Sequence, residues 1–197
     1  MQSEVWFRFV VWGDSLVGKS SICCHFITGE SLDMDKPKFD DEVYNRQIYV
    51  SGVLCYVEFL DARSGFEYSP VTDARARPAD GFVIVYSVTD RKSFDATAAY
   101  FARVLAMKDL PQVPMVLVGN KCDLHNVRQV SPEEGAELAQ QFSASFLETS
   151  TIEHINIENV FTECIKQVVL GRPDMYRYRF PDLCQPSKKS SKKCLIS

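Results

Sequence analysis

Val5-Trp6-Phe7-Arg8-Phe9-Val10-Val11-Trp12 runs directly into Gly13-Asp14-Ser15-Leu16-Val17-Gly18-Lys19-Ser20, a complete G-x-x-x-x-G-K-S loop, and helix-like Ser21-Ile22-Cys23-Cys24-His25-Phe26-Ile27 follows. A strand that feeds a glycine-bounded turn and then opens a helix is the context in which this pattern becomes a phosphate site. Glycines at both ends let backbone N–H groups converge on an anion, a lysine reaches its outer charges, and a serine hydroxyl at the helix start can ligate Mg²⁺. Gly13, Asp14, Ser15, Leu16, Val17, Gly18, Lys19, Ser20 and Ser21 are therefore the candidate phosphate contacts. Lys19 is the candidate catalytic cation and Ser20 the candidate metal ligand.

Outward from this loop the chain reads as alternating strands and helices. Val43 to Val50 and Val53 to Leu60 are β-rich runs joined by Ser51-Gly52, a two-residue connection that closes an antiparallel hairpin. Gly81 to Val88 and Met115 to Gly119 are short, continuously apolar runs, as expected of parallel strands covered on both faces. Between them, Ser93 to Met107 sets Phe94, Ala98, Phe101 and Leu105 at helical spacing. Ser131-Pro132-Glu133-Glu134 reads as an N-cap, a first-turn proline and a capping-box glutamate, starting a helix towards Phe142. A strand at Phe146-Leu147-Glu148-Thr149 follows, then a helix from Ile157 to Leu170 with Val160, Phe161, Cys164, Ile165 and Val168 as its apolar stripe. From Arg172 the periodicity is lost, so residues 1–171 read as one domain and 172–197 as a flexible tail.

The bulk properties suit that reading. With 197 residues and 46% hydrophobic content the chain can bury the core of one ordinary domain and has no room for a second. A formal charge of -4 argues against a broad nucleic-acid surface, although Lys188, Lys189, Lys192 and Lys193 crowd an end with no acid after Asp182. Seven cysteines without a C-x-x-C pair suggest neither a zinc knuckle nor a disulfide framework, and a reducing cytosol is expected. The N-terminal apolar run is too short for a signal core or a membrane span. His25, His125 and His154 carry no ligand spacing and read as structural or exposed.

A second motif, Asn120-Lys121-Cys122-Asp123, lies on the loop after the Met115 run. Loops at the carboxyl ends of two parallel strands of one sheet form a ligand crevice. The Asp123 carboxylate can accept from both N1–H and the N2 amino group of guanine, whereas adenine would offer it a lone pair and leave the carboxylate badly paired. Guanine is expected over adenine. Asn120 braces the loops in this reading, and the Lys121 stem lies against base or ribose.

With these residues in hand, the chain resembles the small GTPases of the Ras superfamily, and the Ras branch most of all, over roughly residues 4 to 171. The resemblance implies an α/β fold with a six-stranded, mostly parallel sheet, one antiparallel hairpin strand and flanking helices. It implies GTP or GDP with Mg²⁺ as bound groups, effector and exchange proteins as partners, and a monomer. The family's Glu-Thr-Ser-Ala-Lys segment corresponds to Glu148-Thr149-Ser150-Thr151-Ile152, so Ser150 and Thr151 join Asn120, Lys121 and Asp123 as candidate guanine contacts. Asp61 is implied to hold Mg²⁺ through water, and Gly65 to contact phosphate.

Departures from the family pattern fall where the terminal phosphate is sensed. Lys38 stands where the family carries a metal-ligating threonine, and no threonine occurs between Thr28 and Thr72. Ser31 replaces the aromatic residue that lies edge-on to the base, with Leu32 the nearest apolar substitute. The D-x-x-G-Q segment becomes Asp61-Ala62-Arg63-Ser64-Gly65-Phe66-Glu67, so no glutamine orients the attacking water. Ser15 adds a side chain where an arginine finger would enter, and Arg63 reads as a solvated switch-loop residue, with an internal arginine finger as the alternative. Slow or impaired hydrolysis is expected. The alternatives are a non-hydrolysing adaptor or decoy for Ras-type partners, and an ATP-using enzyme, which Asp123 disfavours. Cys194-Leu195-Ile196-Ser197 is a C-a-a-X terminus of farnesyl type, and with the four lysines it makes a two-signal membrane anchor. The cytoplasmic face of a membrane, the plasma membrane first, is the expected location. Cys184 is a candidate palmitoyl site.

Overall fold

The computed structural model describes residues 4–30, 43–61, 70–108, 110 and 112–184. Six strands form one sheet: β1 Val5–Trp12, β2 Val43–Val50, β3 Val53–Asp61, β4 Gly81–Ser87, β5 Met115–Asn120 and β6 Ser145–Thr149. Their order is β2-β3-β1-β4-β5-β6, and only the β2–β3 pair is antiparallel. Ser51 and Gly52 close that hairpin with φ of 49° and 78°, the positive pair that matches the twist of the two strands.

The helices are α1 Lys19–Thr28, α2 Pro70–Ala76, α3 Arg91–Asp95, α4 Thr97–Lys108, α5 Pro132–Gln141, α6 Ile157–Gly171, α7 Pro173–Tyr176 and α8 Pro181–Cys184. Strand alternation sorts the core into two layers. Phe7, Phe9 and Val11 of β1, Val83 and Val85 of β4, and Val116 and Val118 of β5 face α1 and α6. Val10 and Trp12, Phe82, Ile84 and Tyr86, and Met115 and Leu117 face the other way, towards α4 and Ala139 of α5. The central strands are thus buried on both sides, which is why they read as unbroken apolar runs. Ser131 caps α5 in a complete capping box with Glu134.

Two expectations change. The Ser93–Met107 helix is broken at Ala96: Ser93 Oγ donates to the Asp90 carbonyl and Thr97 Oγ1 to the Phe94 carbonyl, closing α3 before α4 starts. Spacing counted through the break therefore fails. Ala98 is exposed and Leu105 lies at the surface, while Tyr100, Phe101, Val104 and Met107 are buried. The folded body also continues past the expected boundary at residue 171. Pro173 and Pro181 start short helices, and Tyr176 and Phe180, one turn apart, pack on Phe7 with ring centres 5.6 and 6.3 Å away. Arg172 ties this extension to Asp80 at 2.9 Å. The packed chain runs to Cys184, and residues 185–197 lie outside the described residues.

Candidate functional site

The strand order turns at β1, which has β3 on one side and β4 on the other, so the loop leaving β1 stands at the switch point where open α/β sheets form their crevice. That loop is Gly13 to Gly18. Gly13 has φ of 147°, and a Cβ there would lie 2.0 Å from the Val85 carbonyl oxygen. Gly18 has φ of 99°, and a Cβ there would meet Asn120 Nδ2 at 2.1 Å. Both glycines are demanded by close approach as well as by backbone angle. Leu16 takes φ of 64° with an exposed side chain, a strained conformation for a γ-branched residue.

Lys19 begins α1 buried, and its ammonium donates to the carbonyls of Gly13 at 2.6 Å and Asp14 at 2.7 Å, at the centre of the loop. The N–H groups of Asp14, Ser15, Leu16 and Val17 make no backbone hydrogen bond among the described residues. Unpaired amides around a lysine ammonium form a cradle for an anion. Ser20 sits exposed in the first turn of α1, with half-buried Ser21 beside it.

Asn120, at the end of β5, joins this loop to the second motif. Its Nδ2 donates to the Val17 carbonyl at 2.9 Å, and its Oδ1 accepts from Thr149 Oγ1 at 3.0 Å, all in the buried interior. Lys121, at φ of 66°, donates from Nζ to the Leu16 carbonyl at 2.8 Å. Its stem thus spans from the second loop to the first. The Cys122 N–H donates to the Thr149 carbonyl at 3.1 Å. Burial pushes the Cys122 thiol up, with Glu148 and Asp123 adding to it, so this cysteine is neutral filler. Half-buried Asp123 follows on the rim.

Ser150 is fully buried, and its hydroxyl accepts from the Glu153 N–H at 3.0 Å, shaping the turn after β6. Thr151 is half-buried beside it. The residue in this segment that grips the Asn120 amide is Thr149, to which the sequence reading gave no site role. Arg128 was also missed: it holds Glu148 in a fork at 2.5 and 3.1 Å and steadies the strand end from outside. The Ser31–Glu42 segment with Lys38, the Asp61 side chain, Arg63, Gly65, the four tail lysines and Cys194 lie outside the described residues.

His25 on α1 and His154, in the turn before α6, lie with His154 Nδ1 and His25 Nε2 3.2 Å apart. Burial holds the His25 pKa below its ordinary value, and His154 and Arg46 lower it further. Among the described residues no group of three or more His, Cys, Asp or Glu side chains could hold a metal ion, and no helix is long and apolar enough to cross a membrane.

A family model described as the Ras family matches residues 8–170. The Ras-like protein rasB of Dictyostelium discoideum is 38% identical over 162 residues, 82% of each chain. Ras-like protein 1 of Saccharomyces cerevisiae is 39% identical over 162 residues, which make up 82% of this chain and 52% of that one. The Ras-like protein rasS of Dictyostelium discoideum is 39% identical over 166 residues, 84% of this chain and 85% of its own.

Proposed function

The chain belongs to the Ras family of small GTPases, and from that premise we propose that it is a membrane-anchored guanine-nucleotide switch whose GTP hydrolysis is slow. The observation that carries the reading is the Asn120 amide, which fastens the phosphate loop at Val17 to the N-K-x-D loop and the β6 end at Thr149. A ligand with a polyphosphate at Lys19 then brings its base to Asp123. The carboxylate pairs with the two donors of the guanine edge and rejects adenine.

The residues around Lys19 fit a phosphate group: two glycines that admit no Cβ, four amides without a backbone partner among the described residues, and one ammonium. Ser20 at the helix start, with Asp61 through water, would hold Mg²⁺. When bound, the ion neutralises phosphate charge. Lys19 and the loop amides stabilise charge on the outer phosphates, which serves both affinity and cleavage. No glutamine stands between Asp61 and Asp80 to place a water, and Lys38 stands where the switch threonine would ligate the metal. The two retained motifs serve affinity, and the changed positions at Lys38 and after Asp61 serve switching and water attack. The same departures favour a second reading, an adaptor that holds its nucleotide persistently.

Single-turnover hydrolysis of bound GTP with Mg²⁺ separates the two. The switch reading expects a rate below the roughly 10⁻⁴ s⁻¹ intrinsic to Ras-type enzymes, and the adaptor reading expects none. Hydrolysis at or above that rate overturns both. The anchor rests on Cys194 and on Lys188, Lys189, Lys192 and Lys193. Cys194→Ser should move the protein from the membrane to the soluble fraction, and unchanged partition would refute the anchor.

A further inference from the structure

Asp14 is a carboxylate inside a loop whose other groups favour anions. Its backbone carbonyl faces inward and accepts from Lys19 at 2.7 Å, but its side chain is held from α4, where the Tyr100 hydroxyl donates to Asp14 Oδ1 at 2.9 Å. Tyr100 is buried to 2% exposure, and its ring packs on Trp12, the last residue of β1, with centres 6.4 Å apart. Trp12 in turn packs on Phe82 at 5.5 Å and lies under the Arg103 guanidinium at 4.7 Å. Arg103 is fixed to Asp73 of α2 by contacts of 2.7 and 2.8 Å. The hydroxyl is therefore presented at a set height by a packed aromatic group, not by a mobile surface chain.

We propose that Tyr100 is a positioning residue for the phosphate site: it holds the Asp14 carboxylate away from the bound polyphosphate and from the Lys19 ammonium. The inference rests on the reading of this loop as a nucleotide phosphate site. Freed from Tyr100, the half-buried carboxylate is no longer held off the site, and two of the positions open to it oppose binding. Turned inward it meets phosphate oxygens of like charge, and turned to Lys19 it takes the cation that the phosphates need. Either one adds to the loss of the charge-assisted hydrogen bond from the Tyr100 hydroxyl to the carboxylate. The penalty rises with the number of phosphate charges. A purely structural tyrosine would produce no such grading.

The test is a double-mutant cycle on the full chain, following release of fluorescently labelled GTP and GDP in excess Mg²⁺, with urea midpoints measured in parallel. Tyr100→Phe, which keeps the ring and removes the hydroxyl, should release GTP roughly tenfold faster and GDP less so. Asp14→Ala supplies the background without the carboxylate, and its own release rate is the reference for the cycle. The double variant should return to the Asp14→Ala rate, because without the carboxylate the hydroxyl has nothing to restrain. A Tyr100→Phe rate equal to wild type overturns the inference alone. Equal acceleration in Tyr100→Phe and the double variant, or equal effects on GTP and GDP, assigns Tyr100 to packing and also overturns it. A wild-type chain that holds no guanine nucleotide refutes the functional reading, and the inference with it.

Discussion

One amide, that of Asn120, satisfies Val17 and Thr149 at once in an interior where neither can reach water. Asn120→Ala leaves a buried carbonyl and a buried hydroxyl without this partner, at a cost of about 2–4 kcal/mol. The urea midpoint should fall accordingly, and a loss under about 0.5 kcal/mol would show that the loops are held by other means. His25 gives a pH test. Because its folded pKa lies below the ordinary 6.5, the unfolded chain takes up a proton that the folded chain refuses. Its contribution favours folding above about pH 6.5 and is lost as pH falls from there through the folded value. Stability of the wild type should drop more steeply than that of His25→Gln between about pH 7 and pH 5.5, and parallel curves would remove His25 from the account. At this scale the sequence was readable where a motif dictates its residue, as at Gly18, Lys19 and Asn120. It was silent on Tyr100 and Thr149, whose partners lie 86 and 29 positions away and leave no periodic trace.

Among the elements, the phosphate loop, the hairpin, the central strands and α6 were legible because each carries its own chemistry: glycines at the turn, a two-residue connection, runs buried on both faces, a continuous stripe. α4 was misread in register because the break at Ala96 is made by side-chain hydrogen bonds from Ser93 and Thr97, which hydrophobic spacing does not report. The C-terminal extension was signalled by prolines at two helix starts and by Tyr176 and Phe180 one turn apart, but its composition looked like a tail. Phe180 is fully buried, so Phe180→Ala should cost about 3–5 kcal/mol, as for a core aromatic. Truncation after Gly171 should lower the thermal midpoint for the same reason, since it uncovers Phe7. A truncated chain as stable as the full one would show that α7 and α8 rest on the core without supporting it.

For the whole molecule, sheet order brings the two loops to one place. β1 lies between β3 and β4, β5 is next to β4, and the carboxyl ends of β1 and β5 open on the same edge. Two short motifs far apart in sequence thereby meet in one candidate site, with the loop around Lys19 at one end and the Asp123 carboxylate at the other. The departures at Lys38 and in the Asp61–Glu67 segment lie outside these two motifs, so the claim at the centre of the account is binding of guanine nucleotide. It is tested most directly by purifying the protein without added nucleotide, denaturing it and identifying what it releases. Near-stoichiometric GTP and GDP is the predicted result; adenine nucleotide, or none at all, would contradict it.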